Sequence, residues 1–426
     1  MANLAVIGTG YVGLTTLVGM SQLGHICVGF DIDKEKLSQL SLGITGIYEP
    51  GLAEGLIEGL KSGLISFVHT IEDATKDAEF IFTCVSTPEA EDGSADISRV
   101  LAVADSVSKN LKHQAVFVTK STVPVGTGEK IKAQIGQEDI FIASNPEFLR
   151  EGTSLDDFRH PDRIVVGCDL SEVGNRVLQL YKDIDSPKIL VSVRAAEMIK
   201  YASNSFLAVK LSFVNEIASL STALGINAVE VLSAVGSDSR IGNKFMTPGP
   251  GWGGSCFPKD TLALLSTASG LDVKLLTLEA AVQSNGAIQS AIALNIYNIA
   301  VENKGLERIK IGFLGLAFKA DTDDYRESPA MKIIEKLAKL NVEIVGFDYK
   351  AKPNKLENFT TVETISEAFE NVDVLVVATE WEAFRDLEPN ELLHEMKQKL
   401  VFDLRNILPR QKWLNAGARL FTLGVR

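Results

Sequence analysis

One cysteine lies in a segment rich in glycine and proline that runs from Phe245 to Asp260. Pro258 suits the first position of a helix, so Cys256 is expected just ahead of a helix N-terminus, with Lys259 nearby. Both features lower the pKa of a thiol and favour the nucleophilic thiolate. Asp260 falls in the first turn of the same helix. The segment therefore predicts a covalent nucleophile.

The other three cysteines, Cys27, Cys84 and Cys168, lie on or beside apolar strand candidates, and we predict that they are core residues. The four cysteines are far apart and have no paired spacing, which argues against a zinc site or a disulfide framework. No metal site is predicted.

A glycine turn, Gly8-x-Gly10-x-x-Gly13, follows a strand and opens a helix. Such a turn lets a pyrophosphate approach backbone N–H groups at a helix N-terminus. Asp31 ends the next strand, about 20 residues on, where an acidic residue bonds the ribose hydroxyls of NAD and disfavours NADP. Lys36 either flanks the adenosine or is a solvated helix charge. The pattern predicts an NAD site.

Lys200 and Asn204 are spaced i, i+4 in a long helical segment and project from one face. A lysine and an amide on one face can hold a substrate hydroxyl or a developing oxyanion, although such a pair is also found as a plain polar stripe. The segments 120–126 and 145–152 each follow a strand, at the sheet edge where ligands bind.

The order of elements predicts an α/β fold. Strand candidates at 4–7, 26–30, 80–85, 115–119, 141–143 and 164–166 alternate with helical patterns, which indicates a parallel, doubly wound sheet over 1–192. Two long helices, 194 to about 224 and 275 to about 303, predict a central helical domain. Strands restart at 309–314, 342–347, 372–378 and 400–402. We expect two Rossmann-like doubly wound domains, 1–192 and 304–426, joined by a helical domain, 193–303, with a long central helix.

The charge balance excludes some partners. With 42 Lys and Arg against 55 Asp and Glu, the net charge of −13 opposes binding to nucleic acid or to an anionic membrane. No stretch approaches the roughly 20 apolar residues that span a bilayer, and the N-terminus shows no secretion signal, so a cytoplasmic protein is expected. An apolar stripe on the first long helix, including Leu207, Leu211, Val214 and Ile217, fits either a homodimer seam or core packing.

Taken together, these motifs resemble the UDP-glucose/GDP-mannose dehydrogenase family over essentially the whole chain. The resemblance joins the glycine turn, 48–52, 121–124, 145–151, Lys200 to Asn204, 253–260 and 315–319. It implies the four-electron oxidation of UDP-glucose to UDP-glucuronate, with two NAD reduced per sugar. Cys256 would carry first a thiohemiacetal and then a thioester, which water releases.

The resemblance also implies a set of site residues. The catalytic residues are expected to be Cys256, Lys200, Asn204, Asp260, Thr122 and Glu147. The expected cofactor contacts are Gly8, Gly10, Tyr11, Val12, Gly13, Asp31, Lys36, Ser86, Thr87, Thr122, Glu151, Lys259 and Arg326. The expected substrate contacts are Glu147, Phe148, Leu149, Arg150, Glu151, Lys200, Asn204, Arg240, Phe245, Met246, Thr247, Pro248, Gly249, Gly253, Phe318, Lys319 and Arg405. Arg240 resembles an arginine that family members lend across a dimer interface.

Three alternatives stay open. A sister enzyme would run the same chemistry on GDP-mannose or a UDP-N-acetylhexosamine. A two-electron dehydrogenase of the β-hydroxyacid type shares the glycine turn and the Lys200/Asn204 pair but has no use for Cys256. An NAD-binding sensor would retain the fold without turnover, and the presence of Cys256, Asp260 and Lys200 argues against it.

Overall fold

The chain forms two compact units in a computed structural model that describes residues 1–109, 111, 113–304, 308–353 and 356–425. The first unit comprises Met1–Ser203 and Leu262–Val273. The second unit comprises Asn204–Thr261 and the chain from Lys274 onward.

The first unit is built on a sheet of eight strands. These are β1 (Asn3–Ile7), β2 (Ile26–Phe30), β3 (Ile65–Phe67), β4 (Phe80–Thr83), β5 (Val116–Thr119), β6 (Phe141–Ser144), β7 (Ile164–Gly167) and β8 (Lys188–Val191). Their order is β3-β2-β1-β4-β5-β6-β7-β8. Neighbouring strands are parallel except β6 and β7, which meet antiparallel at Ser144 and Gly167. The expected parallel sheet is thus interrupted at that one junction of the described strands.

Helices cover this sheet because its strands are apolar on both faces. They are α1 (Tyr11–Gln22), α2 (Lys34–Ser41), α3 (Leu52–Ser62), α4 (Ile71–Thr75), α5 (Ser98–Ser108), α6 (Thr127–Ile135), α7 (Ser154–Arg159) and α8 (Ser171–Gln179). One core cluster joins β1 to α1 through residues such as Leu4, Val6 and Leu17. A second cluster joins the sheet to α5 and α6 through Phe117, Val103 and Ile131.

The sheet of the second unit repeats the strand order of the first six strands. It contains β9 (Ile309–Leu314), β10 (Val342–Phe347), β11 (Phe359–Thr361), β12 (Val374–Val377), β13 (Leu400–Asp403) and β14 (Arg419–Thr422). The order is β11-β10-β9-β12-β13-β14, and all described pairs are parallel. This is the 3-2-1-4-5-6 order of a Rossmann fold, which confirms the prediction of two such sheets.

The remaining helices begin with the two long ones and continue around the second sheet. They are α9 (Val193–Leu224), α10 (Ala228–Gly236), α11 (Phe257–Ser269), α12 (Leu276–Lys304), α13 (Pro329–Leu337), α14 (Ile365–Phe369), α15 (Glu382–Arg385), α16 (Pro389–Leu392) and α17 (Arg410–Asn415). Ile292 and Ile296 on α12 pack with Ile333 on α13 and with Ile311 on β9 in one buried cluster. Both long helices were predicted within one residue of their observed ends.

Within the described residues, α9 alone is long and apolar enough to cross a membrane by length and composition. One such helix is weak evidence for a membrane span, because the core helix of a soluble protein passes the same test. From Asn204 onward the helix belongs to the second unit and carries polar groups that bond within it: Ser212 Oγ donates to Ala281 O at 2.9 Å, and Asn215 Oδ1 accepts from Gly249 N at 2.9 Å. It also exposes Phe206 and Phe213, which are 69% and 53% exposed.

Candidate active site

Cys256 stands immediately before α11, as the sequence predicts. Its carbonyl accepts a hydrogen bond from Asp260 N at 2.9 Å, which closes the first helical turn. Pro258 is the second residue of the helix, one position later than predicted. The thiol is partly exposed, so it is accessible at the positive end of a helix dipole.

The three other thiols lie in the core, and this prediction is confirmed. Burial raises the pKa of Cys27 and of Cys84 to about 12. Burial also raises the pKa of Cys168. At neutral pH these groups stay protonated and are poor nucleophiles.

Asp260 is held in a hydrogen-bonded pair with Asn204. Asp260 is 1% exposed, and its Oδ2 accepts from Asn204 Nδ2 at 2.6 Å. Its Oδ1 accepts from Lys259 Nζ at 2.6 Å. The predicted residues Asn204, Lys259 and Asp260 thus meet one helical turn after Cys256. Both oxygens of the Asp260 carboxylate accept hydrogen bonds, which fixes its orientation.

The glycine-rich segment ahead of Cys256 is anchored by amides from the two long helices. Asn215 on α9 accepts from Gly249 N, and Asn285 on α12 accepts from Trp252 N at 2.9 Å and donates to its carbonyl at 3.0 Å. A Cβ at Gly253 would lie 1.9 Å from Glu327 O, so no other residue fits there. These contacts fix the path of the chain that leads to Cys256.

A cluster in the second unit brings together Arg405, Phe318 and Gly249, all predicted substrate contacts. One terminal nitrogen of Arg405 donates a hydrogen bond to Phe318 O at 2.9 Å. The other terminal nitrogen lies close to Gly249, 3.3 Å from where a Cβ would stand if that residue had a side chain. Arg405 also pairs with Glu380 at 3.0 Å. The ammonium of Lys319 lies 5.6 Å from the centre of the Phe318 ring.

Other predicted residues of the second unit have different surroundings. Arg240 pairs with Asp238 at 2.6 Å and its side chain is 87% exposed. Arg326 pairs with Asp324 at 2.7 Å. Met246 packs in a hydrophobic cluster with residues of α9 and α10, so its side chain is part of the core. Phe245, whose φ is +63°, places its ring 6.4 Å from that of Phe257.

In the first unit, the glycine turn has the geometry that a dinucleotide needs. A Cβ at Gly13 would lie 1.8 Å from Gly8 O, so α1 can start this close to β1 only with glycine. No atom lies within 4 Å of a Cβ built on Gly10, which leaves the backbone open at the helix start. The helix begins at the next residue, Tyr11, so its free N–H groups point toward that space.

Asp31 follows β2 beside this turn and is already oriented by the protein. Its Oδ2 accepts from Thr9 N at 2.9 Å, from Thr9 Oγ1 at 2.8 Å and from Lys36 Nζ at 2.9 Å. Burial opposes ionisation, but these bonds outweigh it and hold the pKa of the carboxyl below its usual value. The turn and an ionised Asp31 fit the pyrophosphate and the ribose of NAD.

Glu147 and Lys200 form a buried ion pair. Lys200 Nζ donates to Glu147 Oε1 at 2.9 Å, and the side chains are 4% and 7% exposed. Glu147 Oε2 accepts from Leu149 N at 2.6 Å. The Phe148 ring lies between two cations, with the Arg163 guanidinium 3.6 Å and the Lys200 ammonium 5.4 Å from its centre.

Further predicted residues of the first unit lie on its loops. Thr87 Oγ1 donates to Thr122 O at 2.8 Å, which ties the loops after β4 and β5 together. Ser86 accepts from Arg99. Arg150 forms an ion pair with Asp157, so its charge is already matched within the unit.

The family models match nearly the whole chain. Residues 2–185 match the NAD binding domain of the UDP-glucose/GDP-mannose dehydrogenase family, 194–287 its central domain and 312–410 its UDP binding domain. The chain belongs to the UDP-glucose/GDP-mannose dehydrogenase family.

Relatives within this family share the chain from end to end. The UDP-glucose 6-dehydrogenase of Rhizobium meliloti (strain 1021) is 39% identical, covering 99% of this chain and 99% of the relative. A UDP-glucose dehydrogenase structure from Pyrobaculum islandicum is 36% identical with a TM-score of 0.91, covering 100% of this chain and 98% of that one. A UDP-D-ManNAc dehydrogenase structure from Pyrococcus horikoshii is 27% identical with a TM-score of 0.87, covering 99% of each chain.

The family resemblance expected from the sequence is therefore confirmed, and the family's NAD binding domain makes NAD the cofactor. Sequence reasoning missed several residues that hold this site. Glu49 accepts from Gly152 N at 2.7 Å and from Ser154 N at 2.6 Å, and so fixes the turn after Glu151. Arg163 was missed as well. Glu49 falls within the 48–52 segment of the resemblance, but no role was predicted for its side chain, and no local pattern marks Arg163.

Proposed function

We propose that the protein is an NAD-dependent dehydrogenase that oxidises the C6 hydroxymethyl group of UDP-glucose to the carboxylate of UDP-glucuronate. The observation that carries this proposal is the partly exposed Cys256 thiol at the start of α11, one turn from the Asp260–Asn204 pair. An aldehyde loses hydride only from a tetrahedral adduct, and a thiolate provides one. The names of the full-length relatives support UDP-glucose as the sugar nucleotide.

The overall reaction consumes UDP-glucose, two NAD⁺ and one water, and yields UDP-glucuronate, two NADH and three protons. Bound NAD supplies the hydride acceptor for both oxidations. Between them, the Cys256 sulfur forms a bond to C6 of the aldehyde and gives a thiohemiacetal. Oxidation turns this adduct into a thioester, and attack of water breaks the C–S bond and releases the acid.

The chain's polar residues have separate tasks in this scheme. The Lys200 ammonium and the Asn204 amide hold the C6 oxygen and stabilise the negative charge that develops on it. Asp260, with Thr122, orients the water that cleaves the thioester. Glu147 keeps Lys200 in place through their 2.9 Å ion pair and assists through water.

We further propose the division of labour among the three domains. Residues 1–192 bind NAD through the glycine turn and Asp31, with Glu151 near the nicotinamide. Residues 193–303 carry Lys200, Asn204 and Cys256. Residues 304–426 contribute Phe318, Lys319 and Arg405 to the UDP-sugar, with Arg326 toward the cofactor.

A second candidate is the same four-electron chemistry on another sugar nucleotide. The similarity to a UDP-D-ManNAc dehydrogenase structure supports this alternative, although the identity is lower, 27% against 36% for the UDP-glucose dehydrogenase structure. A two-electron β-hydroxyacid dehydrogenase or an NAD sensor would leave Cys256 without a task.

The product identifies the reaction. We expect incubation with UDP-glucose and excess NAD in water labelled with oxygen-18 to give UDP-glucuronate carrying one label in the new carboxylate. Mass spectrometry distinguishes this acid from an aldehyde. An aldehyde end product would contradict the thioester route, and turnover only with a UDP-N-acetylhexosamine or GDP-mannose would favour the sister reaction.

We also propose a cytoplasmic homodimer. The exposed apolar side chains Phe206, Phe213 and Leu220 on α9 supply a face that a second copy could cover. Light scattering tests this: a Phe213→Asp variant is expected at half the wild-type mass, and a wild-type monomer would contradict the proposal.

A further inference from the structure

Lys120 is a buried cation in the first unit to which the proposed reaction assigns no task. It directly follows β5 and is 4% exposed. Its Nζ contacts Asn145 Oδ1 at 3.2 Å, Asn145 O at 3.5 Å and the Tyr181 hydroxyl at 3.5 Å. These three oxygen atoms belong to uncharged groups, so the lysine is buried without a carboxylate among its hydrogen-bond partners.

Asn145 is the residue through which Lys120 reaches the candidate active site. Asn145 N donates to Thr119 O at 2.9 Å, and its Nδ2 donates to Val165 O at 2.8 Å. Its Oδ1 accepts from both Lys120 and the Tyr181 hydroxyl. With its polar groups all bonded, Asn145 is fixed between β5 and β7.

Glu147 comes two residues after this anchor, separated only by Pro146, whose ring fixes one backbone angle. The position of the Glu147 carboxylate therefore follows from that of Asn145. Its two oxygens then bind Lys200 Nζ and Leu149 N at 2.9 and 2.6 Å. A chain of contacts thus runs from Lys120 through Asn145 to the Glu147–Lys200 pair.

The charges of this cluster act on one another because it excludes water. Burial lowers the pKa of Lys120 to about 8; the Glu147 carboxylate opposes that shift, while the Lys200 ammonium, on α9, adds to it. Tyr181 faces the same ammonium, and burial raises the pKa of its hydroxyl. The Lys120 and Lys200 charges therefore repel each other, while Glu147, the ion-pair partner of Lys200, attracts both.

We propose that Lys120 is a positioning residue for the Glu147–Lys200 pair: it anchors the Asn145–Glu147 segment and places a second positive charge within electrostatic reach of Lys200. This rests on the proposed function, in which the protonated Lys200 holds the C6 oxygen. The Lys120 charge repels the Lys200 ammonium, so Lys200 shares its proton more readily with the oxyanion that develops on the substrate. The same repulsion makes two neighbouring positive charges unfavourable while that oxyanion is absent.

A neutral core residue would fill the same volume without the cost of burying an ammonium. A buried ammonium at this position therefore has a reason to be there if its charge contributes to the reaction. The proposal therefore predicts two separable effects of Lys120, one on the position of Glu147 and one, through its charge, on the Glu147–Lys200 pair.

The test compares Lys120→Met, Lys120→Arg and Tyr181→Phe in the full-length protein, with kcat and KM for UDP-glucose measured across pH. Lys120→Met removes the charge and the hydrogen bonds. Tyr181→Phe is the matched control, because it removes a hydrogen bond to Asn145 and leaves the charge. Lys120→Arg keeps the charge in a bulkier form.

We expect Lys120→Met to lower kcat about tenfold with little change in KM. Wild-type kcat should fall as Lys120 loses its proton near pH 8, and Lys120→Met should lack this step because it has no charge to lose. Tyr181→Phe should keep the step, and Lys120→Arg, which stays charged, should move it to higher pH. A Lys120→Met profile that keeps the step near pH 8 would overturn the proposal.

Two further measurements keep the outcomes distinct. If Lys120→Met does not fold, Lys120→Gln retains hydrogen-bonding atoms without the charge and should also lack the step near pH 8. Wild-type protein that does not oxidise UDP-glucose overturns the proposed function. Wild-type turnover with the step near pH 8 unchanged in the neutral variants overturns only the role of Lys120.

Discussion

The Lys200 ammonium and the Glu147 carboxylate lie 2.9 Å apart, and both side chains are more than nine-tenths buried. One comes from the long helix α9 and the other from the loop after β6. Because breaking a buried ion pair destabilises the folded protein, the pair couples the stability of the first unit to the proposed handling of the C6 oxygen.

Glu147→Gln is expected to lower the free energy of unfolding by about 3 kcal/mol, because it breaks a buried ion pair with Lys200. It should also lower kcat. The control is Glu129→Gln, which breaks the 2.8 Å pair with Arg194, where the side chains are 65% and 59% exposed. That exposed pair should contribute less than about 1 kcal/mol. Equal losses in denaturant titrations of the two variants would contradict the account of Glu147.

Cys256→Ser is expected to stop the reaction before UDP-glucuronate, because a serine hydroxyl is a weaker nucleophile and a poorer leaving group than a thiol. Chromatography of the products measures the acid. Cys168→Ser, which alters a buried thiol of the first unit, is the control and should still form it. Full conversion by Cys256→Ser would rule out the covalent role.

Asp31→Ala is expected to weaken NAD binding about tenfold while sparing UDP-glucose, because the ribose loses its acceptor. Fluorescence titration with each ligand measures both affinities. Asp33→Ala is the matched control: Asp33 accepts from Lys36 N at 3.0 Å as the N-cap of α2, so its loss affects helix stability and not the ribose. An unchanged NAD affinity in Asp31→Ala would remove its assigned role.

Alkylation should separate the thiols. Burial raises the pKa of Cys27 and Cys84 to about 12, so these groups are protonated as well as inaccessible in the folded protein. We expect iodoacetamide at about pH 8 to modify one thiol per folded chain, Cys256, and all four after denaturation. Peptide mass mapping gives the site. Rapid labelling of a folded Cys256→Ser variant would show that a second thiol is open.

The free energy of unfolding should depend on pH in the alkaline range because Lys120 is buried. Burial lowers the pKa of Lys120 to about 8, against an unfolded value of about 10.4, so the folded state binds fewer protons between these values. Stability from this group therefore rises with pH through that window, by about 3 kcal/mol, and the penalty is fully present below it. Unfolding of wild type and Lys120→Met across this window should differ in slope, and parallel curves would argue against a buried charged lysine.

Much of the fold follows from the sequence because its signals are local. A local sequence pattern is enough to recognise the glycine turn, the apolar strands and the two long helices. The short edge strands β3, β8, β11 and β14 were missed, since edge strands are less apolar and resemble loops. The antiparallel junction between β6 and β7 was also unforeseen, because strand direction there depends on the path of the chain between them.

The candidate site divides in the same way. Cys256, Asp260 and the glycine turn are recognisable because neighbours in sequence create their chemistry. The segments 48–52 and 120–126 were singled out, but the tasks of Glu49, Lys120 and Asn285 were not predicted. Each of these side chains acts through a partner more than 20 residues away, respectively Gly152, Asn145 and Trp252. The substrate contact expected at Met246 stays a prediction, and its side chain packs in the core.

The most direct test of the central claim is the end-point yield of NADH from limiting UDP-glucose, with GDP-mannose and UDP-N-acetylglucosamine in parallel. A route through Cys256 predicts two NADH per UDP-glucose and little from the other two. One NADH per sugar would show a two-electron dehydrogenase in which Cys256 forms no thioester, and would contradict the account.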